Sequence, residues 1–439
     1  MNFLIAPNAL KGSLSALRAA NIISQSLEGM TPDAANALCP IADGGDGTLE
    51  CLIHATGGKI FQATVRGPIS PLRVKARWGV LGDGATAVIE MAEAAGLRLL
   101  SPPQYDIANA TTYGVGELIL LALKLGLKKI IVGLGGSATN DGGAGCAKAL
   151  GVKFFDEHDK ELPEGGIYLA RLHHLQIMNH ELGPLNESST TLGVDRPRRV
   201  ESSTVGSLRP EADALNESST TLRVGRPRRV ESSTVGSRRP LAQIRNAEII
   251  CLADVTNVLF GPAGAAYTFA TQKGASNELI VRLDEGMRVY ASIIERETHH
   301  KISNFPGSGA AGGLGAGLIA FCNARIISGI DFVLDTVRFD DLLRQCDCVI
   351  TAEGMIDSQT LRGKGIEGVA RRALKFNKPV HAFVGRIHGD ATMLQKKLGL
   401  ATLHQISPDA MPVNEAMRNA EMFLSNAVRS FISTKLTKK

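Results

Sequence analysis

The sequence predicts an α/β fold in two parts: a parallel sheet built from both chain ends, and a second domain inserted between them. Three observations carry this expectation. Strand and helix patterns alternate over residues 1–60 and again over 290–439, as βα units of a parallel sheet do. Residues 59–100 change character, with β-rich runs separated by Gly and Pro. Glycine- and acid-bearing loops follow the strand-like runs, as ligand loops do at the carboxyl ends of open α/β sheets. The expected boundaries are 1–60 with 290–439 for the outer domain and 61–289 for the inserted one.

In chain order, NFLIAP reads as a strand. LSALRAANIISQSLEGM reads as an amphipathic helix, because Leu14, Leu17, Ala20, Ile23 and Leu27 recur at helical spacing. Ser13 or Ser15 is its expected cap. ALCPIADGG is a second strand entering a turn, and GTLECLIHATGG a helix stopped by Gly57 and Gly58. KIFQATVRG, PLRVKARWGVL and ATAVIEMAEAAG suggest an antiparallel meander. GVGELILLALKLG is a helix and KKIIVGL a strand, leading into GGSATNDGGAG at 135–145. Farther on, EIICLADVTNVLFG is strand and turn, NELIVRLDEGMRVYASIIERETH a long helix, and GAAGGLGAGLIAFC a small-residue helix start. CDCVITAEGMIDSQTL and KPVHAFVGRIHGD are strands running into loops, with the helix GIEGVARRALKFN between them.

Residues 185–210 and 215–240 are near copies, differing only at Gly193/Arg223, Asp195/Gly225 and Leu208/Arg238. The unit is Ser, Thr, Arg and Pro with scattered Val and Leu. It offers too little apolar surface to offset the entropy of ordering, so a disordered, duplicated insertion is expected. A basic interaction tail or a phosphorylation target is the alternative. Residues 185–240 hold ten Arg and no Lys against seven acidic residues. They therefore account for most of the net charge of +5. The rest is close to neutral, which argues against a nucleic-acid-binding enzyme. Seven cysteines without a CxxC pair argue against zinc and against a disulfide framework. The apolar stretch ELILLALKLGLKKIIVGLGG is broken by Lys124, Lys128 and Lys129, so no membrane partner is expected. MNFLIAPNALKG lacks the regions of a signal peptide, and the expected location is the cytoplasm.

The chemistry lies in the loops. ADGGDGT (42–48) carries Asp43 and Asp46 around Gly44 and Gly45. GGSATNDGGAG carries Gly135, Gly136, Ser137, Asn140 and Asp141. ADVTN (253–257) carries Asp254 and Asn257. AEGMIDSQTLRGKG (352–365) carries Glu353, Asp357, Arg362 and Lys364. LKGS (10–13) and QKGAS (272–276) set Lys11 and Lys273 beside glycine, and Gly312 and Gly313 open the small-residue helix. Bare backbone lets N–H groups approach phosphate oxygens, lysines add point charges, and carboxylates with Asn bind Mg²⁺ through oxygen. A carboxylate can also orient or deprotonate a hydroxyl that attacks a phosphoryl group. Each loop singly also reads as a tight turn, with its Asp capping its own backbone. No Walker motif is present.

Together these motifs resemble the bacterial type 1 glycerate kinases along nearly the whole chain, the insertion excepted. LIAPNALKGSLSA, ADGGDGT, ATGG, DGATAVIEMAEAAGL, TTYGVGELI, GLGGSATNDGGAG, ADVTN, QKGA, GSGAAGGLGAGL and EGMIDSQTLRGK occur in order. The resemblance implies a flavodoxin-like domain from both chain ends and an inserted restriction-enzyme-like one. It implies ATP-dependent phosphorylation of D-glycerate at the 2-hydroxyl, with Mg²⁺. Lys11, Lys273 and Arg362 are candidates for the substrate carboxylate and phosphates. Asp43, Asp141, Asp254 and Asp357 compete for the role of base. The chain departs from the pattern with Asn8 where such kinases usually have Asp, and Met355 where they usually have Arg. Those departures open a second reading, a weakly active or inactive ligand-binding member. A kinase for another small hydroxy acid is a third.

Overall fold

The computed structural model describes residues 1–31, 34–177, 244, 246–357 and 365–436. The repeat at 185–240, Arg362 and Lys364 lie outside the described residues. The architecture is mixed α/β, with two large sheets and helices packed on them.

The first sheet is wholly parallel. Phe3–Ile5 pairs on one side with the edge strand Asn36–Leu38 and on the other with the central strand, Cys348–Ile356. Val380–Ile387 and then Thr402–Gln405 complete it. Counted along the chain within this sheet, the strand order is 2-1-3-4-5, one of the two common doubly wound orders. All three residues of Phe3–Ile5 are buried, as expected of a parallel strand covered on both faces. The helix Ala16–Glu28 covers one face, and it is Ser15, not Ser13, that caps it by accepting from Arg18 N at 3.2 Å. The helix Thr48–Thr56 stops at Gly57, whose φ of 67° is left-handed.

The second sheet has six strands. Lys59–Arg66, Arg73–Val80 and Thr86–Glu90 form an antiparallel meander. The meander does not stand alone, because Thr86–Glu90 also pairs in parallel with Lys129–Gly133. Glu248–Leu252 and Arg325–Ile327 extend the parallel half. Trp78, fully buried, stacks on Phe61 with ring centroids 5.1 Å apart beneath this sheet. Val152–Phe155 and His174–Ile177 make a small separate ribbon. The seven cysteines are all buried and free.

One apolar cluster joins the two sheets. It contains Leu4 and Val349 of the first, Val88, Ile131 and Ile250 of the second, and Leu49, Leu52, Ile330 and Val333 from the helices between. This shared layer brings carboxyl ends of parallel strands from both sheets toward one another, and the loops that leave them meet.

Candidate active site

Two glycine loops meet with no room for side chains. The 39–46 loop leaves the Asn36–Leu38 strand and the 134–143 loop leaves Lys129–Gly133. Gly135 N donates to Gly44 O at 3.1 Å. A Cβ on Gly135 would lie 2.4 Å from Gly45 Cα, and one on Gly44 would lie 2.8 Å from Leu252 O. Gly44 also has a φ of +86°, which other residues rarely adopt. Much of the bare backbone in these motifs therefore serves loop-on-loop contact.

Beside that crossing lies a cleft of about 510 Å³. Lys11, Asp43, Gly44, Gly45, Gly135, Gly136, Ser137, Asp254 and Lys273, all singled out from sequence, line it. Asp46 of the ADGGDGT loop and Gln272 of the QKGAS segment line it too, as does Arg98, which was not foreseen. Arg98 holds Asp46 at 3.4 Å and Glu93 at 2.6 Å. Its segment, GLRLL, carries no motif that would have marked it.

Lys273 is only 3% exposed. Its Nζ donates to Ser137 Oγ and Thr139 O, each at 2.7 Å. Burial brings its pKa down to about 7, against a smaller upward pull from Asp141. An anion in the cleft would restore the positive charge. Asp254 accepts from Ser328 Oγ at 3.1 Å, Gly329 N at 2.9 Å and Ile330 N at 3.1 Å, and so caps the Gly329–Thr336 helix. Burial and then the nearby Asp43 charge raise its pKa to about 7, although those donors pull the other way. Asp43 accepts one bond, from Gly45 N to Oδ1 at 3.3 Å. Among the described residues it makes no ion pair, whereas Asp46, the third carboxylate of this cleft, accepts no hydrogen bond but pairs with Arg98 at 3.4 Å.

The remaining candidates are placed elsewhere. Asp141 is fully buried behind the loop, where it accepts from Thr112 N (2.8 Å), Thr112 Oγ1 (2.9 Å), Gly143 N (3.1 Å) and Gly145 N (3.1 Å). Four donors engage it as an anchor of the turn. Asn140 is buried beside it and lines no part of the cleft. Asn257 ties its own loop down, donating to Ala263 O at 2.8 Å and Thr268 Oγ1 at 3.1 Å. Gly312 and Gly313, both at positive φ, seat the start of the Ala310–Cys322 helix against residues 139–142, and Gly142 N donates to Gly312 O. Theirs is a packing role. The N-terminus of Thr48–Thr56 is no open anion site either, since Glu90 accepts from Leu49 N at 2.7 Å.

A second cleft, of about 320 Å³, opens beyond the first sheet and shares Lys11 and Asp43 with the larger one. Glu353 and Met355 line it, with Arg386. Asp357 lines neither cleft. Asn8 is buried, accepts from Ala9 N at 2.8 Å, and lines neither cleft.

The sequence and the fold are similar to those of known proteins. The model of the glycerate kinase family matches residues 3–192 and 213–435, breaking off inside the first copy of the repeat. Glycerate 2-kinase of Escherichia coli (strain K12) is 36% identical over 99% of this chain and 98% of its own. Glycerate kinase of Bacillus subtilis (strain 168) is 35% identical over 100% and 99%. A crystal structure described as that of a candidate glycerate kinase 2 from Salmonella typhimurium LT2 superposes with a TM-score of 0.70 at 34% identity, covering 99% of both chains.

Proposed function

Because this chain belongs to the glycerate kinase family, we propose that it transfers the γ-phosphoryl group of ATP to the 2-hydroxyl of D-glycerate, giving 2-phosphoglycerate. The observation that carries this reading is the 510 Å³ cleft, which gathers three basic side chains, Lys11, Arg98 and Lys273, and three carboxylates, Asp43, Asp46 and Asp254, with glycine backbone. The name of the Escherichia coli relative supports the 2-position.

In this reading Lys273 and Ser137 hold the glycerate carboxylate at the base of the cleft. Lys11, at its mouth, screens the phosphates. Asp43 accepts the proton of the attacking hydroxyl, since it carries a single hydrogen bond and no ion pair, whereas Asp254 is held by three donors and Asp46 is paired with Arg98. Asp254 is held in place by the helix end that it caps, and it stays part-protonated near neutral pH. The family implies Mg²⁺, and the donor set suits it: two hard carboxylates close enough for Asp43 to raise the pKa of Asp254. Among the described residues no group of three acidic, His or Cys side chains forms a closed cage, so substrate oxygens and water would complete the shell. Bound there, the ion would offset charge on the transferring phosphoryl group. We also read the two sheets as the cores of a flavodoxin-like domain and an inserted restriction-enzyme-like domain.

The test is turnover of D-glycerate with ATP and Mg²⁺ by the purified protein, with phosphorus NMR of the product. A 2-phosphoglycerate signal is expected. Folded protein that binds ATP yet yields no phosphoglycerate would overturn the reading, and 3-phosphoglycerate would overturn its regiochemistry.

A further inference from the structure

Resting on the kinase reading, we propose that the 320 Å³ cleft beyond the first sheet takes the purine and ribose of the nucleotide, while the larger cleft keeps the hydroxy acid and the transferred phosphate. The two clefts differ in chemistry. The larger one sets glycine backbone and the cations Lys11, Arg98 and Lys273 among apolar side chains such as Leu97 and Phe269, and its cations and bare N–H groups suit small anions. The smaller one is walled by Leu10, Met355, Ile406, Val413 and Met417, a mostly apolar surface with two polarisable thioethers. Its volume stands at the low end of small-ligand sites, about 300–1,000 Å³.

Three further observations fit a nucleoside there. The clefts adjoin at Lys11 and Asp43, so a chain of phosphates leaving the apolar cleft passes an ammonium before it reaches Asp43 and the glycine loops. Arg386 lines the apolar cleft with a buried Nε that has no hydrogen-bond partner among the described residues. A ribose hydroxyl or α-phosphate oxygen would supply one. The rest of that guanidinium holds the wall in place, since Nη2 donates to Met411 O. The cleft also lies at the carboxyl ends of parallel strands, where doubly wound sheets bind nucleotides.

The experiment uses Val413→Asp and Met355→Glu in the full chain. Val413 is 55% exposed and Met355 48%, so neither change disturbs a core. ADP binding is followed by calorimetry and turnover by steady-state kinetics. Each acidic wall should weaken ADP binding and raise the KM for ATP by about tenfold or more, with the KM for glycerate within about twofold of the parent. Val281→Asp, the same change at an equally exposed valine on the Asn277–Thr298 helix that lines neither cleft, should behave as the parent does. An unchanged KM for ATP, a rise confined to glycerate, or a parent protein that binds no ADP would overturn the assignment. ADP binding lost in Val413→Asp, in a protein that does not phosphorylate glycerate, would support the pocket while refuting the substrate.

Discussion

Lys273→Met should make the protein more stable at acidic pH while it removes activity. Burial holds the Lys273 ammonium at a pKa of about 7, against an ordinary 10.5. Between those values the unfolded chain binds a proton that the folded chain does not, so folding is disfavoured as pH falls from 10.5 to 7. At about 1.36 kcal/mol for each pH unit, the penalty reaches about 5 kcal/mol at pH 7 and stays constant below it. Methionine removes the penalty but also two hydrogen bonds, to Ser137 and Thr139. The buried Thr139 carbonyl then loses its donor, and the two losses together cost roughly 3 kcal/mol. The variant should gain about 2 kcal/mol at pH 6, match the parent between about pH 8 and 9, and fall below it at higher pH. Urea unfolding of both proteins at pH 6, 8 and 9.5 reads the difference, and glycerate turnover reads the loss of function. A stability difference independent of pH, or a variant less stable at pH 6, would refute the account of a desolvated ammonium.

Asp43→Asn should lower kcat by about 10²–10⁴ with little change in melting temperature. It should also move the carboxyl titration of Asp254, followed by carbon NMR, below its present value of about 7, because the Asp43 charge helps to hold it there. Asp141→Ala should behave in the opposite way, costing at least about 4 kcal/mol in denaturant unfolding by stranding three N–H groups and a hydroxyl. A stable Asp141→Ala protein that had lost only kcat would restore that carboxylate to the chemistry. Gly312→Ala should cost at least about 2 kcal/mol, since its φ is +65° and its Cβ would meet Thr139 O at 1.9 Å, and a melting temperature equal to the parent's would refute the packing role.

The elements that showed in the sequence are those with a long period or a strong stop. The apolar spacing from Leu14 to Leu27 marks a helix without ambiguity, and Gly57 marks its neighbour's end. Arg325–Ile327 is three residues long, and its place beside Glu248–Leu252 is decided by packing rather than by any local pattern. The site was legible as chemistry but not as direction. Asp43 and Asp141 both sit in glycine-rich turns, yet one faces the cleft and the other faces inward onto four donors. Spacing cannot separate them, because the difference lies in where Thr112 arrives from a distant part of the chain. The sequence marks Lys273 as a candidate anion ligand beside a glycine, and only the packing of the 270–275 segment against Ser137 and Thr139 reveals it as buried. Arg98 has no motif at all and reaches the cleft through its pairing with Glu93 and Asp46.

The pairing of Phe3 with Cys348 has a consequence for the order of biosynthesis. A ribosome adding about 5–20 residues per second needs roughly 17 to 70 s to travel from one to the other. Throughout that interval Phe3–Ile5 and Asn36–Leu38 have one another but not the strand that completes the middle of their sheet. Apart from Arg325–Ile327, the strands of the other sheet have all been made by Leu252, well before Cys348. The nascent chain therefore has an early-completing half and a late-completing half, and its first strand must stay unaggregated until the last third of the message is read. A holdase that shields those first residues would raise the yield of folded protein more than one acting on the middle of the chain.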